Sequence, residues 1–397
     1  MVTDAATQRI PLSEPLLEGN EWRYVKECLD TGWISTAGRF VDRFERELEA
    51  ATGAAHVIAT ATGTAALHAA LLALGVRPGD EVIVSSLTFI APVNAIRYCG
   101  ALPVFIDAEP EHWQMDVERV DEFLSSRAMW TDAGLTDMAN GRRIAALLPV
   151  HILGHPCDLD GLLALARRYG LAVIEDATES FGATYRGVSI GHHGDAGCLS
   201  FNGNKTITTG GGGAVLTKSA ALAGALRHLT TTAKVDPVEF IHDEVGYNYR
   251  LTNLQAALGC AQLEGLTERL RRKRLIADRY RLWLKDVPGI RMPEEAAWAR
   301  SSWWLSSIVV DARHYGMDSR ELMGRLAAQG VDARPLWQPI HRSPAHADVE
   351  AVECPVADRL HRDVLNLPSS AQLREDEQQR VVDVIRRSAR REDVRGS

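Results

Sequence analysis

The chain has 397 residues, of which 46% are apolar and 24% charged, which is typical of a folded globular protein rather than a disordered one. The formal net charge of −8 argues against nucleic acid as the main partner, and no apolar run approaches the roughly 20 residues of a membrane span. The N-terminus has no apolar signal core, and six scattered cysteines form no C-x-x-C pair. We therefore expect a cytoplasmic protein with reduced thiols, long enough for two domains.

The first half of the chain alternates between helix and strand patterns. Residues 1–19 are polar and contain proline, as in an arm; TGWISTAG (31–38) is predicted as a loop and Thr131–Gly141 as a polar insertion. Helices are predicted over Glu21–Asp30, Phe40–Ala51, Thr64–Leu74, Phe89–Cys99, Val117–Ser125 and Leu159–Tyr169. Strands are predicted over His56–Thr60, Glu81–Ser85, Leu102–Ile106, Ile144–Val150, Ala172–Glu175, Ala196–Phe201 and Ala214–Thr217. This alternation predicts an α/β fold with a mostly parallel sheet covered by helices on both faces.

After Gly213 the pattern changes. Helices are predicted over Ser219–Leu229, Asn253–Leu284, Ser319–Gln329 and Glu375–Arg387, and one strand over Ser302–Val310. We expect an arm and a large domain over residues 1–265, followed by a smaller C-terminal α+β domain over 266–397. Ligands of parallel sheets bind beyond the carboxyl ends of the strands, so the loops at those ends are the first candidates for a site.

The first such loop is ATGTAALH (61–68). Gly63 and Thr64 open a helix directly after a strand, and free amides with a hydroxyl at a helix N-terminus form an anion site. An ordinary N-cap by Thr62 or Thr64 explains the same residues. The loop alone therefore leaves both interpretations open.

The second loop is IEDATESFG (174–182). Glu175 and Asp176 end an apolar strand, and a buried carboxylate needs a cation or a strong donor to stay ionised. A pyridinium N–H is such a donor, and a helix N-cap or an ion pair within the protein is the ordinary alternative.

The third loop lies within AGCLSFNGNKTITTGGGG (196–213). Burial disfavours an ammonium, so a lysine between two strands, here Lys205, can become an amine nucleophile for a carbonyl. The four glycines Gly210–Gly213 permit close backbone approach to a ligand, and Ser200 adds a hydroxyl. A β-hairpin with a surface lysine is the alternative.

Together the three loops offer an anion cradle, a carboxylate for a ring cation and an amine for an aldehyde. Pyridoxal 5′-phosphate carries the matching phosphate, pyridine nitrogen and aldehyde. The motifs of two other phosphate-binding sites are absent. Lys205 follows Asn204 rather than the glycine of a nucleotide-binding phosphate loop, and no G-x-G-x-x-G dinucleotide motif follows the first strand. His151 and His155 are four residues apart, but Gly154 and Pro156 flank the second and argue against a metal-binding helix, so we predict no metal site.

Several longer stretches resemble one family. TGTAALHAALLALGVRPGDEVIVSSLTFIAPVNAI, IEDATESFGATYRG, SFNGNKTITTGGGGAVLT and GYNYRLTNLQAALG are similar to the nucleotide-sugar aminotransferases of the DegT/DnrJ/EryC1/StrS family. The resemblance runs from about residue 11 to residue 385. It implies the PLP-dependent fold type I, the aspartate aminotransferase-like fold, in a homodimer with active sites at the subunit boundary.

The resemblance also implies residue roles. Lys205 matches the Schiff-base lysine and Asp176 the partner of the pyridine nitrogen. Gly63, Thr64 and Ser200 match phosphate contacts.

Three further positions match the family. Phe89 matches the aromatic that stacks on the cofactor ring, although core packing is its ordinary role. Glu179 sits where many members have Gln or Glu near the cofactor, and Asn248 matches a residue that reaches the phosphate from the other subunit. Because Lys205 is not the His of the sugar 3-dehydratases, the resemblance favours a transaminase with L-glutamate as donor.

The substrate is expected to be a nucleotide-linked 4-keto-6-deoxy sugar. EGNEWRYVKECLDTGWISTAG, HLTTTAK and the insertion at 131–141 resemble the C4 aminotransferases of legionaminic-acid and bacillosamine routes, which act on UDP-2-acetamido-4-keto-2,4,6-trideoxyglucose. GHPCD and NKTITTG also resemble the perosamine synthases, which use GDP-4-keto-6-deoxymannose. We expect the UDP sugar, with the GDP sugar or a PLP-dependent dehydratase or lyase as alternatives.

Candidate sugar contacts come from loops that the family places around the pocket. They are Trp33, Ser35, His151, Trp337, His341 and Arg342. Tryptophan packs on a sugar or nucleobase and arginine meets diphosphate, while ordinary packing or a solvated position explains each equally well. A fold type I desulfurase would need a catalytic cysteine, for which Cys354 is the loose candidate.

Overall fold

A computed structural model describes residues 9–350 and 352–389. The helices are α1 (Glu21–Thr31), α2 (Arg39–Thr52), α3 (Gly63–Ala73), α4 (Ile90–Tyr98), α5 (Val117–Arg127), α6 (Leu159–Tyr169), α7 (Ala220–Thr230), α8 (Asn253–Glu264), α9 (Leu266–Leu284), α10 (Ala312–Tyr315), α11 (Ser319–Ala328), α12 (Pro355–Asp363) and α13 (Glu375–Ser388). Within the described residues, no helix is both long enough and apolar enough to cross a bilayer.

Strands form one large sheet, one smaller sheet and short hairpins. They are β1 (His56–Thr60), β2 (Glu81–Ser85), β3 (Leu102–Ile106), β4 (Ala128–Thr131), β5 (Gly134–Asp137), β6 (Ile144–Leu148), β7 (Ala172–Asp176), β8 (Thr184–Tyr185), β9 (Val188–Ser189), β10 (Ala196–Ser200), β11 (Gly213–Thr217), β12 (Lys234–Asp236), β13 (Ile241–His242), β14 (Ile290–Arg291), β15 (Ala299–Arg300), β16 (Ser306–Val310), β17 (Arg334–Pro335) and β18 (Val364–Leu367).

The large sheet has the order β1-β11-β10-β7-β6-β2-β3. Neighbours from β10 to β3 run parallel, and β11 is antiparallel to both β1 and β10. Alternate residues of a strand face opposite sides, so Ile174 packs with α3 and α4 while Val173 packs with α5 and α6. The expected α/β architecture, a mostly parallel sheet with helices on both faces, is confirmed.

A second core lies in the C-terminal part of the chain. The antiparallel sheet β14-β16-β18-β17 packs against α9, α11 and α13. The N-terminal segment joins this core, because Ile10 pairs with Val331, whereas residues 1–8 of the expected arm lie outside the described residues. The division at residue 265 stays a prediction, and it coincides with the break between α8 and α9.

Three predicted elements differ from the structure. The helix expected over Asn253–Leu284 is two helices, because the Arg269 guanidinium lies where a side chain on Gly265 would be and donates to the Gln262 carbonyl at the end of α8. The polar insertion at 131–141 contains the second strand of the β4–β5 hairpin. The strand expected from Ser302 begins at Ser306, because Trp303 has a positive φ of 50°.

Candidate active site

Lys205 lies in the connection between β10 and β11, which pair antiparallel and meet at Ser200 and Gly213. The hairpin alternative is therefore right for the backbone. It is wrong for the side chain, since only 13% of the Lys205 side chain is exposed. Phe201 N donates to the Gly212 carbonyl at 2.9 Å, which closes the base of the loop that carries the lysine.

Burial of the Lys205 amine favours a nucleophile, against the effect of its nearest neighbours. Its Nζ lies 3.7 Å from Oε1 of Glu179 and 4.1 Å from the centre of the Trp304 ring. Burial lowers the pKa of Lys205, and the carboxylates of Glu179 and Asp176 partly oppose that effect. A lysine with a lowered pKa holds more of its free amine near neutral pH, which is the form that attacks carbonyls.

Two carboxylates lie next to this amine. Asp176, at the end of β7, is 1% exposed, and its Oδ1 accepts a hydrogen bond from Thr178 N at 3.0 Å. Burial raises the pKa of Asp176, while Thr178 and Lys205 oppose the rise. Glu179 accepts from Leu153 N at 2.9 Å, and burial raises the pKa of Glu179 to about 7. Both carboxyl groups therefore lie close enough to Lys205 to act on the pKa of its amine.

The N-terminus of α3 faces the same space. Thr62 caps the helix by accepting from Ala65 N at 3.0 Å, so the N-cap alternative is right for Thr62 and leaves the amides of Gly63 and Thr64 free for an anion. A Cβ on Gly63 would lie 2.8 Å from the Cβ of Ser200, closer than carbon atoms approach. Glycine at position 63 thus lets α3 and Ser200 meet.

These groups surround one cavity of about 360 Å³. It is lined by Thr62, Gly63, Thr64, Leu67, Phe89, Ala91, Thr178, Glu179, Ser200, Asn202, Asn204, Lys205, Gly211, Gly212, Trp304 and Trp337. The structure thus brings most predicted cofactor contacts and one predicted sugar contact, Trp337, into a single cavity. Asp176 is not among the residues that line it, although its carboxylate acts on the pKa of Lys205.

Two other predicted sugar contacts have partners within the protein. His151 is fully buried, and its Nδ1 accepts from Cys157 N at 3.0 Å, so Nε2 carries the proton and faces Glu175 at 3.1 Å. This is a structural position rather than the sugar contact expected for it. His341 contacts the Ser86 hydroxyl through Nδ1 at 2.6 Å, in the loop that leads to Phe89.

Arg342, Trp33, Ser35 and Asn248 lie outside the cavity of this single chain. Arg342 pairs with Asp358 at 3.1 Å and is exposed. Trp33 lines a separate cavity of about 380 Å³, and Asn253 binds the carbonyls of both Trp33 and Ser35 at 2.6 Å. Asn248 is exposed.

Sequence reasoning missed Trp304, Thr178 and Asn204. Trp304 lies against the lysine, and its indole Nε1 donates to the Asn204 carbonyl at 2.8 Å. The signal in the sequence was two adjacent tryptophans before an apolar strand, but only the fold shows that Trp304 is the one that contacts Lys205.

A sequence profile of the DegT/DnrJ/EryC1/StrS aminotransferase family matches residues 15–386. The chain belongs to this family. It is 38% identical over 375 residues to the GDP-perosamine synthase of Caulobacter vibrioides, covering 94% of this chain and 96% of that protein. It is equally identical, over 360 residues, to the GDP-perosamine synthase of Escherichia coli O157:H7, covering 91% and 93%.

Solved structures agree with the sequence match. DesV of S. venezuelae, in complex with a ketimine intermediate, is 33% identical with a TM-score of 0.86 and covers 98% of this chain and 100% of its own. This DegT-family protein is therefore a sugar aminotransferase of fold type I that depends on pyridoxal 5′-phosphate, as the sequence predicted.

Proposed function

We propose that this aminotransferase moves the amino group of L-glutamate to the C4 ketone of a nucleotide-linked 4-keto-6-deoxy sugar, with Lys205 as the catalytic lysine. The observation that carries the proposal is the buried amine of Lys205 between Glu179 and Trp304, at the wall of the cavity that α3 closes. Aldehydes react with such amines, and the cofactor has one aldehyde.

The remaining groups fit the cofactor at its other two ends. The free amides of Gly63 and Thr64 and the hydroxyl of Ser200 would hold the phosphate, because a helix N-terminus favours an anion. The Asp176 carboxylate would hold a proton on the pyridine nitrogen, and Phe89 lies in the cavity wall where it can stack on the ring.

When bound, the cofactor supplies a ring that accepts the electron pair released at the amino-bearing carbon. The protein's own task is then to place and move protons. Lys205, as a free amine, carries the proton to and from the reacting carbon. Asp176 keeps the ring nitrogen protonated, and the cavity walls formed by Trp304 and Trp337 limit the access of water.

For the sugar, we revise the expected UDP substrate in favour of GDP-4-keto-6-deoxymannose. The stretches that resemble the UDP-sugar enzymes, HLTTTAK and EGNEW, are short, whereas the likeness to two GDP-perosamine synthases extends over more than nine-tenths of this chain. We propose Trp337 as a sugar contact because it lines the cavity with Lys205; contacts by Trp33, Ser35 and Arg342 stay predictions.

The test is a direct comparison of two substrates. Purified protein with cofactor and L-glutamate is given GDP-4-keto-6-deoxymannose or UDP-2-acetamido-4-keto-2,4,6-trideoxyglucose, with Lys205→Ala as the inactive control. We expect a GDP-linked amino sugar by mass spectrometry and one 2-oxoglutarate formed per amino sugar. Amination of the UDP sugar alone would contradict the substrate assignment, and a sugar product formed without 2-oxoglutarate would indicate a dehydratase.

The lyase alternative loses its candidate nucleophile. Cys354 is fully buried before α12, and burial raises the pKa of its thiol to about 12. Such a thiol does not form the thiolate that a desulfurase requires. Absence of sulfide release from L-cysteine is the corresponding measurement.

We further propose that the active site is completed in a homodimer, with Asn248 acting from the second copy. The segment before Asn248 is rich in exposed apolar side chains, namely Val235, Val238, Phe240, Ile241 and Val245, which is typical of a surface that another chain covers. Light scattering should give twice the chain mass. Asn248→Ala should then weaken cofactor binding in the dimer, and a monomeric active enzyme would refute the proposal.

A further inference from the structure

A buried lysine on α9 has no role in the chemistry described so far. Lys273 is 3% exposed, and its Nζ donates to the carbonyls of Trp304 at 3.0 Å and Ser369 at 2.9 Å. Among the described residues, no carboxylate forms an ion pair with it. Burial lowers the pKa of Lys273 to about 8, so the fold bears the cost of burying this cation.

One of the two carbonyls belongs to the residue that covers the catalytic amine. The Trp304 ring centre is 4.1 Å from Nζ of Lys205, and its indole Nε1 donates to the Asn204 carbonyl, one residue before Lys205. Trp304 thus touches the lysine with its ring face and the lysine's loop with its ring edge. Any shift of the Trp304 backbone moves both contacts.

The backbone that leads to Trp304 is held at its other end by the next residue of α9. Arg274 donates to the Ser301 carbonyl at 2.9 Å, while Lys273 binds the Trp304 carbonyl. A Cβ on Gly154 would lie 2.8 Å from Trp304 N, so the segment from Ser301 to Trp304 also packs closely against the loop that carries Leu153. Neighbouring residues of one helix therefore fix both ends of a four-residue segment.

We propose that Lys273 is a positioning residue for the reaction at Lys205, because it holds the indole of Trp304 against the catalytic amine through the Trp304 carbonyl. The proposal rests on the proposed function only in taking Lys205 as the catalytic lysine. An aromatic face near an ammonium favours the charged form, so the placement of Trp304 acts on the proton held at Lys205 Nζ.

A purely structural role gives a different expectation. If Lys273 served stability alone, its removal would lower the free energy of unfolding and leave the properties of Lys205 unchanged. Tyr280 offers a matched control: it lies on the same helix, is fully buried and donates to the Pro368 carbonyl at 3.0 Å, next to Ser369. Tyr280→Phe removes one buried donor to the same segment without touching Trp304.

The experiment compares Lys273→Met, Tyr280→Phe and Trp304→Leu in the cofactor-loaded enzyme. The first readout is the pH midpoint of the absorbance of the cofactor bound to Lys205, which requires no substrate. The second is the single-turnover rate with L-glutamate, and the third is the thermal midpoint. We expect Lys273→Met to move the absorbance midpoint and to slow the glutamate reaction roughly tenfold, since a misplacement of about 1 Å near reacting groups costs up to the order of 100-fold.

Two further variants test whether Lys273 acts on Lys205 through Trp304. In a Trp304→Leu background, Lys273→Met should add no further change to the midpoint or the rate, because the side chain it positions is gone. Lys273→Arg, which keeps a cationic donor, should restore part of the wild-type rate. Tyr280→Phe should change the thermal midpoint alone.

Three results would overturn the proposal. The first is a Lys273→Met enzyme that changes only in thermal midpoint. The second is that the effects of Lys273→Met and Trp304→Leu add in the double variant. The third applies if Lys273→Met does not fold, and it is a Trp304→Leu enzyme whose absorbance midpoint equals that of the wild type. None of these readouts uses a sugar, so a failure of the proposed sugar substrate leaves the outcome intact.

Discussion

Replacement of Gly63 by alanine tests whether the contact between α3 and β10 forms the cofactor site. Gly63 opens α3 with ordinary helical backbone angles, so alanine adds no backbone strain. The new Cβ would lie 2.8 Å from the Cβ of Ser200 and 3.2 Å from Cγ2 of Thr178. Both neighbours line the cavity, so relief of the overlap displaces groups that we expect to hold the phosphate.

The size of the effect follows from that overlap. Non-bonded carbon atoms pack at about 3.5–4.0 Å. Ser200 or the start of α3 must therefore move so that the two Cβ atoms separate by about 0.7 Å or more. Overpacking of this kind costs about 1–3 kcal/mol. If the cost falls on binding, Kd for the cofactor rises roughly 5- to 150-fold.

The assay is a titration of the cofactor-free protein followed by absorbance, with thermal unfolding in parallel. Gly224→Ala is the control, since Gly224 lies inside α7, is exposed and has nothing within 4 Å of an added Cβ; it should stabilise the protein by about 0.5–1 kcal/mol. In a Ser200→Gly background, Gly63→Ala should cost much less. A Gly63→Ala enzyme with wild-type cofactor affinity would refute the geometry of the site.

Four other substitutions test separate parts of the structure. Lys205→Ala should abolish both the transfer from L-glutamate and the absorbance of the lysine-bound cofactor, and normal turnover would exclude Lys205. Asp176→Asn should cut the rate severely while cofactor stays bound, which a rate assay beside a binding titration can measure. Glu175→Gln should lower the free energy of unfolding in urea by about 1–3 kcal/mol, because the amide NH2 that replaces one carboxylate oxygen cannot accept from the buried backbone amides there. Burial raises the pKa of Glu81 to about 7, so between pH 4.5 and 7 the unfolded chain releases a proton that the folded chain keeps, and stability falls as the pH rises. Glu81→Gln should therefore raise the free energy of unfolding by about 1–3 kcal/mol at pH 8 and change it little at pH 4.

The sequence was sufficient to predict an element or a candidate residue where the local pattern and the tertiary structure agree. The continuously apolar strands His56–Thr60, Glu81–Ser85 and Leu102–Ile106 were predicted to the residue, because burial on both faces leaves no alternative to hydrophobic runs. Lys205, Ser200 and Gly63 were predicted to lie near one another because loops at strand ends can be recognised in the sequence, and they line one cavity. The same reasoning could not show the order of strands, in which β11 lies between β1 and β10.

Contacts between distant segments were beyond such reasoning. Helical periodicity continues across Gly265, and only the Arg269 guanidinium, which lies over that glycine, shows why the helix breaks there. Trp304 lies far from Lys205 in sequence but contacts it directly, and Lys273 binds the Trp304 carbonyl. His151 was expected at a sugar because the family resemblance places its loop around the pocket, but the Cys157 amide and Glu175 that contact it are visible only in the fold.

The neighbouring carboxylates Glu175 and Asp176 show how one strand end serves both stability and chemistry. Successive residues of a strand point to opposite sides, so the two side chains enter different surroundings. Glu175 accepts from His151 and from the amides of Gly191, His193 and Gly194; burial would raise its pKa, but these donors hold it at about 2. Asp176 accepts from Thr178, and burial raises its pKa. Because Glu175 already accepts from four donors and Asp176 has fewer, we expect Asp176 rather than Glu175 to bind a protonated ring nitrogen.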